Sequence, residues 1–315
     1  MNVRDHIVGF TFVFGVAALS FCLSTYHASF DALVTSLIIG MLAGNIVGFK
    51  DSLEKGSEAA LNLFLPLGVA LYGFQMVLNE FEPGLLTAIF LVISGLFGLT
   101  MLLSVIFDVK RDVGILIASG LALCGASAIA VVSSLIGAKK EETSISLLSV
   151  LLLGLAGTII YPFFYDLLAL TQGEFGFLAG ATLPIPGHVR IVAEGVSPES
   201  LFSALKNNSI RMSFLLILVV ASIFQQMRKE KGMKAPWFAV AFIVFAVAAN
   251  VTKVFVPVLV YLKGAGNFCL STSLAAVGVL VDLDLVVEEG ITPVGVIFFS
   301  LGVVVLLIYF FRNLF

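Results

Sequence analysis

"GFLAGATLPIPGHVRIVAEG", Gly176 to Gly195, is an apolar run carrying two prolines, Pro184 and Pro186, that no single unbroken helix can hold. Each proline removes a backbone donor and drives its ring into the preceding turn. The run is therefore predicted to open between Leu183 and Gly187, with His188 and Arg190 at the start of the next helical piece. Irregular backbone at membrane depth survives only where protein encloses it or where it lines a wet cavity. A helix start beside Arg190, with the His188 imidazole next to it, favours an anion. The plainer alternative is an extramembrane turn between two half-length helices.

The rest of the chain supplies the membrane. Of 315 residues, 60% are hydrophobic and only 12% charged, where a soluble domain is nearer half and a quarter. Apolar runs long enough to cross a bilayer recur along the whole length. The short alternating segments of a transmembrane β-barrel do not occur. The expected fold is all-α: a polytopic membrane protein of ten or eleven transmembrane helices, with inverted repeats and two discontinuous helices. The predicted spans are Ile7–Tyr26, Ala32–Val47, Ala60–Leu78, Leu85–Phe107, Val113–Gly137, Ser144–Leu168, Phe175–Ala193, Pro198–Gln226, Trp237–Val251, Phe268–Val287 and Ile291–Phe311. Ser197-Pro198-Glu199 reads as a helix start, and Pro83-Gly84, Gly173 and Gly290 as turns. The first apolar run follows Arg4 without a small-residue cleavage site and reads as a span, not a removed signal.

Loop cations set orientation. Lys50 and Lys55, Lys110 and Arg111, and the group Arg228, Lys229, Lys231 and Lys234 all fall on one side if the N-terminus is cytoplasmic. Lys139 and Lys140 fall on the other side, next to Glu141 and Glu142. The expected location is the cell inner membrane, N-terminus inside. The net charge of -3 bears little on this, and Cys22, Cys124 and Cys269, all in apolar runs, suggest neither disulfides nor a metal site.

A second interruption lies in "LALCGASAIAVVSSL", Leu121 to Leu135. Gly120, Gly125, Ala126, Ser127 and Ala128 displace the bulky residues of mid-span. Close helix packing is the simple reading. A broken helix, offering free amides and a helix dipole to a ligand at mid-membrane, is the functional one.

A shift of 205 residues aligns the chain with itself: Asn45 with Asn250, Asn62 with Asn267, Ala70 with Ala275, Gly73 with Gly278 and Leu78 with Leu283. The matching spans are seven crossings apart, so they run in opposite directions, as in many secondary transporters. The chain is expected to form a single transmembrane domain over 1–315, with repeat cores over 32–107 and 237–311. Asn45 and Asn250 either line the cavity or only bond neighbouring helices. Lys206 and Arg211, in "KNNSIR", read first as interfacial cations whose heads snorkel outward; the alternative is that a cation there pairs with Glu194 or helps an anion enter. Gln75 reads as interhelical glue and Asp166 as interfacial.

Several chemistries find no footing. Only three histidines are present, and there is no HExxH, no Gly-x-Ser-x-Gly elbow and no phosphate-binding GxxxxGKS. No cofactor or metal is expected, and no enzymatic activity.

"LYGF", "CGASAIA", "FGFLAGAT" and "APWF", in that order, make the chain resemble the YeiH-type membrane proteins, a family labelled sulfate exporters. The resemblance runs from about Leu33 onward. It implies ten or eleven inner-membrane spans and kinship with inverted-repeat carriers of bile acids and arsenite, whose two broken helices cross at the binding site. Gly125 and Ser127 carry over; His188 carries over loosely, because "LPIPGHVRIVAEG" departs from the histidine, acid and glutamine that relatives place after their "GAT".

The expected function is secondary transport of a small anion such as sulfate, a sulfonate or a carboxylate. The expected site comprises Cys124, Gly125, Ala126, Ser127, Thr182, Gly187, His188 and Arg190, with Asn45 and Asn250. Ser127 and Thr182 would donate hydroxyls, and Arg190 or His188 would supply charge. Expected partners are the anion, a coupling ion (H⁺ or Na⁺), the lipid bilayer and a second copy in a homodimer; nucleic acid is not expected. The alternatives are a cation/proton antiporter using Asp282, Asp284 or Glu194, and a membrane scaffold or sensor that transports nothing.

Overall fold

The structure, a computed structural model, describes residues 3–26, 31–45, 50–76, 82–221, 237–251, 256–281 and 283–311. The described residues are helical, with no strand. In chain order the helices are α1 (Val3–Tyr26), α2 (Ala32–Asn45), α3 (Lys50–Tyr72, closing in a 3₁₀ turn at Gly73–Gln75), α4 (Pro83–Ile106), α5 (Arg111–Ala122), α6 (Ala126–Ile136), α7 (Lys140–Leu167), α8 (Gln172–Thr182), α9 (Pro186–Glu194), α10 (Pro198–Ser213), α11 (Trp237–Val251), α12 (Val256–Leu280) and α13 (Leu283–Phe310). Among the described residues, six stretches are each long and apolar enough to cross a bilayer: Ile7–Thr25, Leu53–Gln75, Pro83–Ile106, Lys140–Leu167, Pro198–Ala221 and Gly290–Phe310. Large apolar side chains such as Val105, Ile159, Phe163 and Phe310 stay exposed along α4, α7 and α13, as a hydrocarbon-facing surface requires. The chain is an all-α polytopic membrane protein.

Local chemistry explains the helix starts. Pro83 opens α4 in the first turn, where its missing donor costs nothing. The Ser197 hydroxyl accepts from the Ser200 amide at 3.1 Å and Pro198 begins α10, as the sequence predicts. Thr171 and Glu174 cap α8 reciprocally. Several boundaries differ from expectation, among them that of α3, which starts at Lys50 and not at Ala60. Gly290 lies inside α13, not at a turn, and α12 starts at Val256, well before Phe268. A lone glycine costs a helix about 1 kcal/mol, which packing readily absorbs. The Val113–Gly137 and Phe175–Ala193 spans are each divided, into α5 and α6 and into α8 and α9.

The chain forms two compact units. The first comprises Met1–Val77, Ala130–Ser144 and Leu216–Glu288; the second comprises Leu78–Ile129, Ile145–Leu215 and Glu289–Phe315.

Within the first unit, contacts follow the 205-residue offset. The Asn45 side-chain amide donates to the Met41 and Val281 carbonyls, at 2.9 and 3.1 Å. Its counterpart Asn250 donates to the Ala246 and Met76 carbonyls, at 2.7 and 2.9 Å. Each acceptor is the other's counterpart, shifted by 205. Gly73 abuts the Phe242 carbonyl, and Gly278 abuts the Leu37 carbonyl, again a matched pair. Neither glycine position has room for a Cβ. The two asparagines thus clasp helix ends through backbone. Gln75 donates to Asn267 at 2.6 Å, the interhelical role expected of it.

Candidate functional site

The second unit holds both interruptions. α5 stops with the Leu123 amide on the Ser119 carbonyl (3.1 Å) and the Gly125 amide on the Gly120 carbonyl (2.9 Å). Gly125 then reverses the chain at φ +63°, a conformation open to glycine and costly for other residues. Its carbonyl takes the first α6 bond, from the Ile129 amide at 3.1 Å. The amides of Ala126, Ser127 and Ala128 therefore head α6 without intrahelical acceptors.

The second interruption has the same logic with different residues. The Leu183 amide still reaches the Ala179 carbonyl (3.1 Å), and α9 begins with the Val189 amide on the Ile185 carbonyl (3.1 Å). Between them, Pro184 and Pro186 offer no N–H to the carbonyls of Gly180 and Thr182, which an unbroken helix would have engaged. The Gly187 and His188 amides head α9.

The two interruptions touch. A Cβ placed on Gly125 would lie 2.9 Å from the Pro184 carbonyl oxygen and 3.2 Å from Ile185 Cγ1. Two helix starts, with their partial positive charge, therefore share one neighbourhood.

Two further helices, α7 and α10, close around it. α7 presents Gly154, Gly157 and Tyr161 on one face: a Cβ at Gly154 would strike the His188 imidazole, and one at Gly157 the Leu183 side chain. The Tyr161 hydroxyl pairs with Thr182 Oγ1 at 2.6 Å. Because the Thr182 hydroxyl donates to the Leu178 carbonyl at 2.5 Å, its single proton is used, and Tyr161 is the donor. α8 presses Gly176 and Gly180 against the Ser200 and Ala204 carbonyls of α10. That close approach carries Arg211 to the break.

Arg211 is fully buried. Its Nη2 donates to the Leu183 carbonyl at the end of α8 and to Asn208 Oδ1 at 3.2 Å. Nε and Nη1 have no hydrogen-bond partner among the described residues. Cys124 and Tyr161 lie within electrostatic reach of the guanidinium. A guanidinium stays charged in proteins, and a charge in the membrane interior marks a functional site by default. Here sequence reading missed: Arg211 reads as a snorkelling cation, yet it points inward.

The other expected site residues are distributed unevenly. Cys124, Ala126, Ser127, Thr182 and His188 are buried, with Gly187 half-buried. Arg190 is displaced from this group. Its side chain is 58% exposed and pairs with Glu194 at 3.5 Å, one turn on. On α9, Val189, Val192 and Ala193 form the buried face, which turns Arg190 outward; the buried cation is Arg211 instead. Asn45 and Asn250 belong to the other unit and hold backbone there. Asp282 lies outside the described residues, and Glu194 is exposed. Tyr161 and Asn207 also escape sequence reading. The available signal was spacing: Ser203, Asn207 and Arg211 recur every fourth residue on α10 and share a face.

A cavity of about 310 Å³ opens beside this stripe. Leu85, Phe177, Leu178 and Tyr309 give it apolar walls, and Ser203, Lys206 and Asn207 its polar side. Lys206 is tied to Glu82 at 3.3 Å, and the Glu174 carboxylate to the Thr171 amide and hydroxyl at 2.7 and 2.8 Å.

The family described as conserved hypothetical protein 698 matches residues 8–297. Similar proteins include the UPF0324 membrane protein of Archaeoglobus fulgidus, 31% identical over 88% of this chain and 83% of the relative. The UPF0324 membrane protein OB3406 of Oceanobacillus iheyensis is 27% identical over 88% and 85% of the two chains. The UPF0324 inner membrane protein YeiH of Escherichia coli K12 is 26% identical over 84% and 80%. No solved structure matches the chain.

Proposed function

We propose that the chain, which belongs to the conserved hypothetical protein 698 family, is a secondary transporter of a small anion that binds where its two helix breaks touch. One observation carries the reading: a fully buried guanidinium, with two of its three nitrogens unpartnered among the described residues, beside two touching helix breaks. Burying an uncompensated charge costs several kcal/mol, and a bound anion offsets that cost. Amides at the starts of α6 and α9, the Ser127 hydroxyl and the Arg211 N–H groups are the donors of the proposed site. Coupling to H⁺ or Na⁺, a cytoplasmic N-terminus and a homodimer belong to the same proposal.

The test is transport in proteoliposomes. The wild type is expected to move sulfate or a small sulfonate or carboxylate down an imposed ion gradient. Arg211→Lys keeps the charge and loses the planar fork; it should transport more slowly. Arg211→Met, checked for fold by size exclusion, should not transport. A folded Arg211→Met variant with wild-type anion flux rejects the site.

A further inference from the structure

We infer that the cavity between α4, α8, α10 and α13 holds a zwitterionic phospholipid with a primary ammonium head: its phosphate at Lys206, its ammonium at Glu174 and one acyl chain along the apolar walls. The inference concerns the bilayer and stands whatever the chain transports. Location is the first ground. Leu85, Leu168 and Tyr309 line the cavity, next to the span ends at Pro83, Leu167 and Phe310. Three spans thus end at its level, where a bilayer places its head groups and where tyrosines collect. Phe202, another lining residue, is 73% exposed; an apolar ring left open beside span ends is a surface for lipid.

Chemistry is the second ground. The charged groups of the lining, Lys206 and Glu174, have opposite signs. The Ser203 hydroxyl donates to the Gly173 carbonyl at 3.2 Å; Lys206 lies one turn beyond Ser203 on the same face, and Glu174 follows Gly173, so the two charges share one rim. Lys206 gives one of its three N–H donors to Glu82, through a partly exposed pair at 3.3 Å. Such a pair is weak and leaves donors for a phosphate. Glu174 Oε2 takes its two Thr171 bonds from neutral groups, and a carboxylate has lone pairs for an ammonium besides. Helix starts do not reverse this pattern. α4, α8 and α10 each begin here with a glutamate of their own at the positive end, Glu82, Glu174 and Glu199. With Lys206 the rim is close to neutral and slightly acidic, which suits a zwitterion and disfavours an anionic head. Inward, Leu85, Phe177, Leu178 and Ile308 form a wall for methylenes. A volume of about 310 Å³ suits the upper part of one chain.

Native mass spectrometry of the full chain in detergent tests this, with equal amounts of phosphatidylethanolamine, phosphatidylcholine and phosphatidylglycerol bearing identical chains. The first lipid retained should be phosphatidylethanolamine. Its preference over phosphatidylcholine, which has the same charges but no N–H on its cation, should be about tenfold. Its preference over phosphatidylglycerol, which has no cation, should be of the same size. Lys206→Gln should lower retention of phosphatidylethanolamine about tenfold. Glu174→Gln keeps the α8 cap and should erase the preference over phosphatidylglycerol. Leu85→Trp narrows the apolar wall and should lower retention of all three lipids. Phosphatidylcholine or phosphatidylglycerol retained as well as phosphatidylethanolamine by the wild type overturns the inference. So does wild-type retention in Lys206→Gln, a change at a partly exposed pair that decides the matter even if Leu85→Trp fails to fold. The two readings fail separately: a folded Arg211→Met variant with unaltered anion flux removes the transport site and leaves the lipid site standing.

Discussion

Replacing Gly125 by alanine asks whether the two breaks truly meet. Two penalties act there. Gly125 sits at φ +63°, and a left-handed conformation costs a residue with a Cβ about 1–2 kcal/mol. The new methyl would also stand 2.9 Å from the Pro184 carbonyl oxygen, a backbone atom with little freedom to move; overpacking of this sort costs roughly 1–3 kcal/mol. Gly137 supplies the control, because it has φ +68° and nothing within 4 Å of its Cβ position. Gly137→Ala carries the dihedral penalty alone, reduced by the roughly 0.4–1 kcal/mol that alanine takes from the unfolded chain's entropy. Gly125→Ala should therefore be the more destabilising by about 1–3 kcal/mol, measured by denaturant unfolding in mixed micelles. Anion binding should fall in Gly125→Ala, because the amides that follow Gly125 move with it. Equal destabilisation by the two substitutions would refute contact between the breaks, and with it the geometry of the site.

Other expectations follow from the same contacts. Arg190→Ala removes only an exposed ion pair one turn apart, so stability should change by less than about 0.5 kcal/mol, with anion affinity unmoved in calorimetry; a large loss of affinity would return the charge to Arg190. Tyr161→Phe deletes the donor to Thr182 and should cost about 1 kcal/mol of unfolding free energy; no loss would show that bond to be idle. Asn45→Leu and Asn250→Leu each leave a helix-end carbonyl without its partner and should each cost about 1–3 kcal/mol. Their costs should be similar, since the two clasps use equivalent atoms, and a clear disparity in unfolding free energy would break that equivalence.

The breaks were legible because proline and glycine act on their own backbone. Pro184 and Pro186 forbid a continuous helix whatever surrounds them, and the small residues about Gly125 mark the other break. The asparagine pairs were legible because amides are scarce in apolar spans. Arg211 was not, since its role depends on a neighbour. A cation near a span end reads as interfacial unless one knows that Gly176 and Gly180 let α8 settle against α10, which buries that face. Arg190 misled for the converse reason: it follows the break in sequence, but four residues of α9 separate it from the helix start, and the helix turn carries it outward. Tyr161 carried no signal of its own, because its meaning comes from Thr182 on another helix.

The clasps of the first unit have a consequence for how such chains diverge. Each asparagine or glycine is read by a main-chain oxygen opposite it, so the amino acid at the receiving position is free to drift: methionine stands at one and valine at its twin, phenylalanine at one and leucine at the other. Only the side chain that reaches across, or the glycine that yields space, has to persist. Two stretches paired at a 205-residue offset can in this way share few matching letters while the grips between them stay the same.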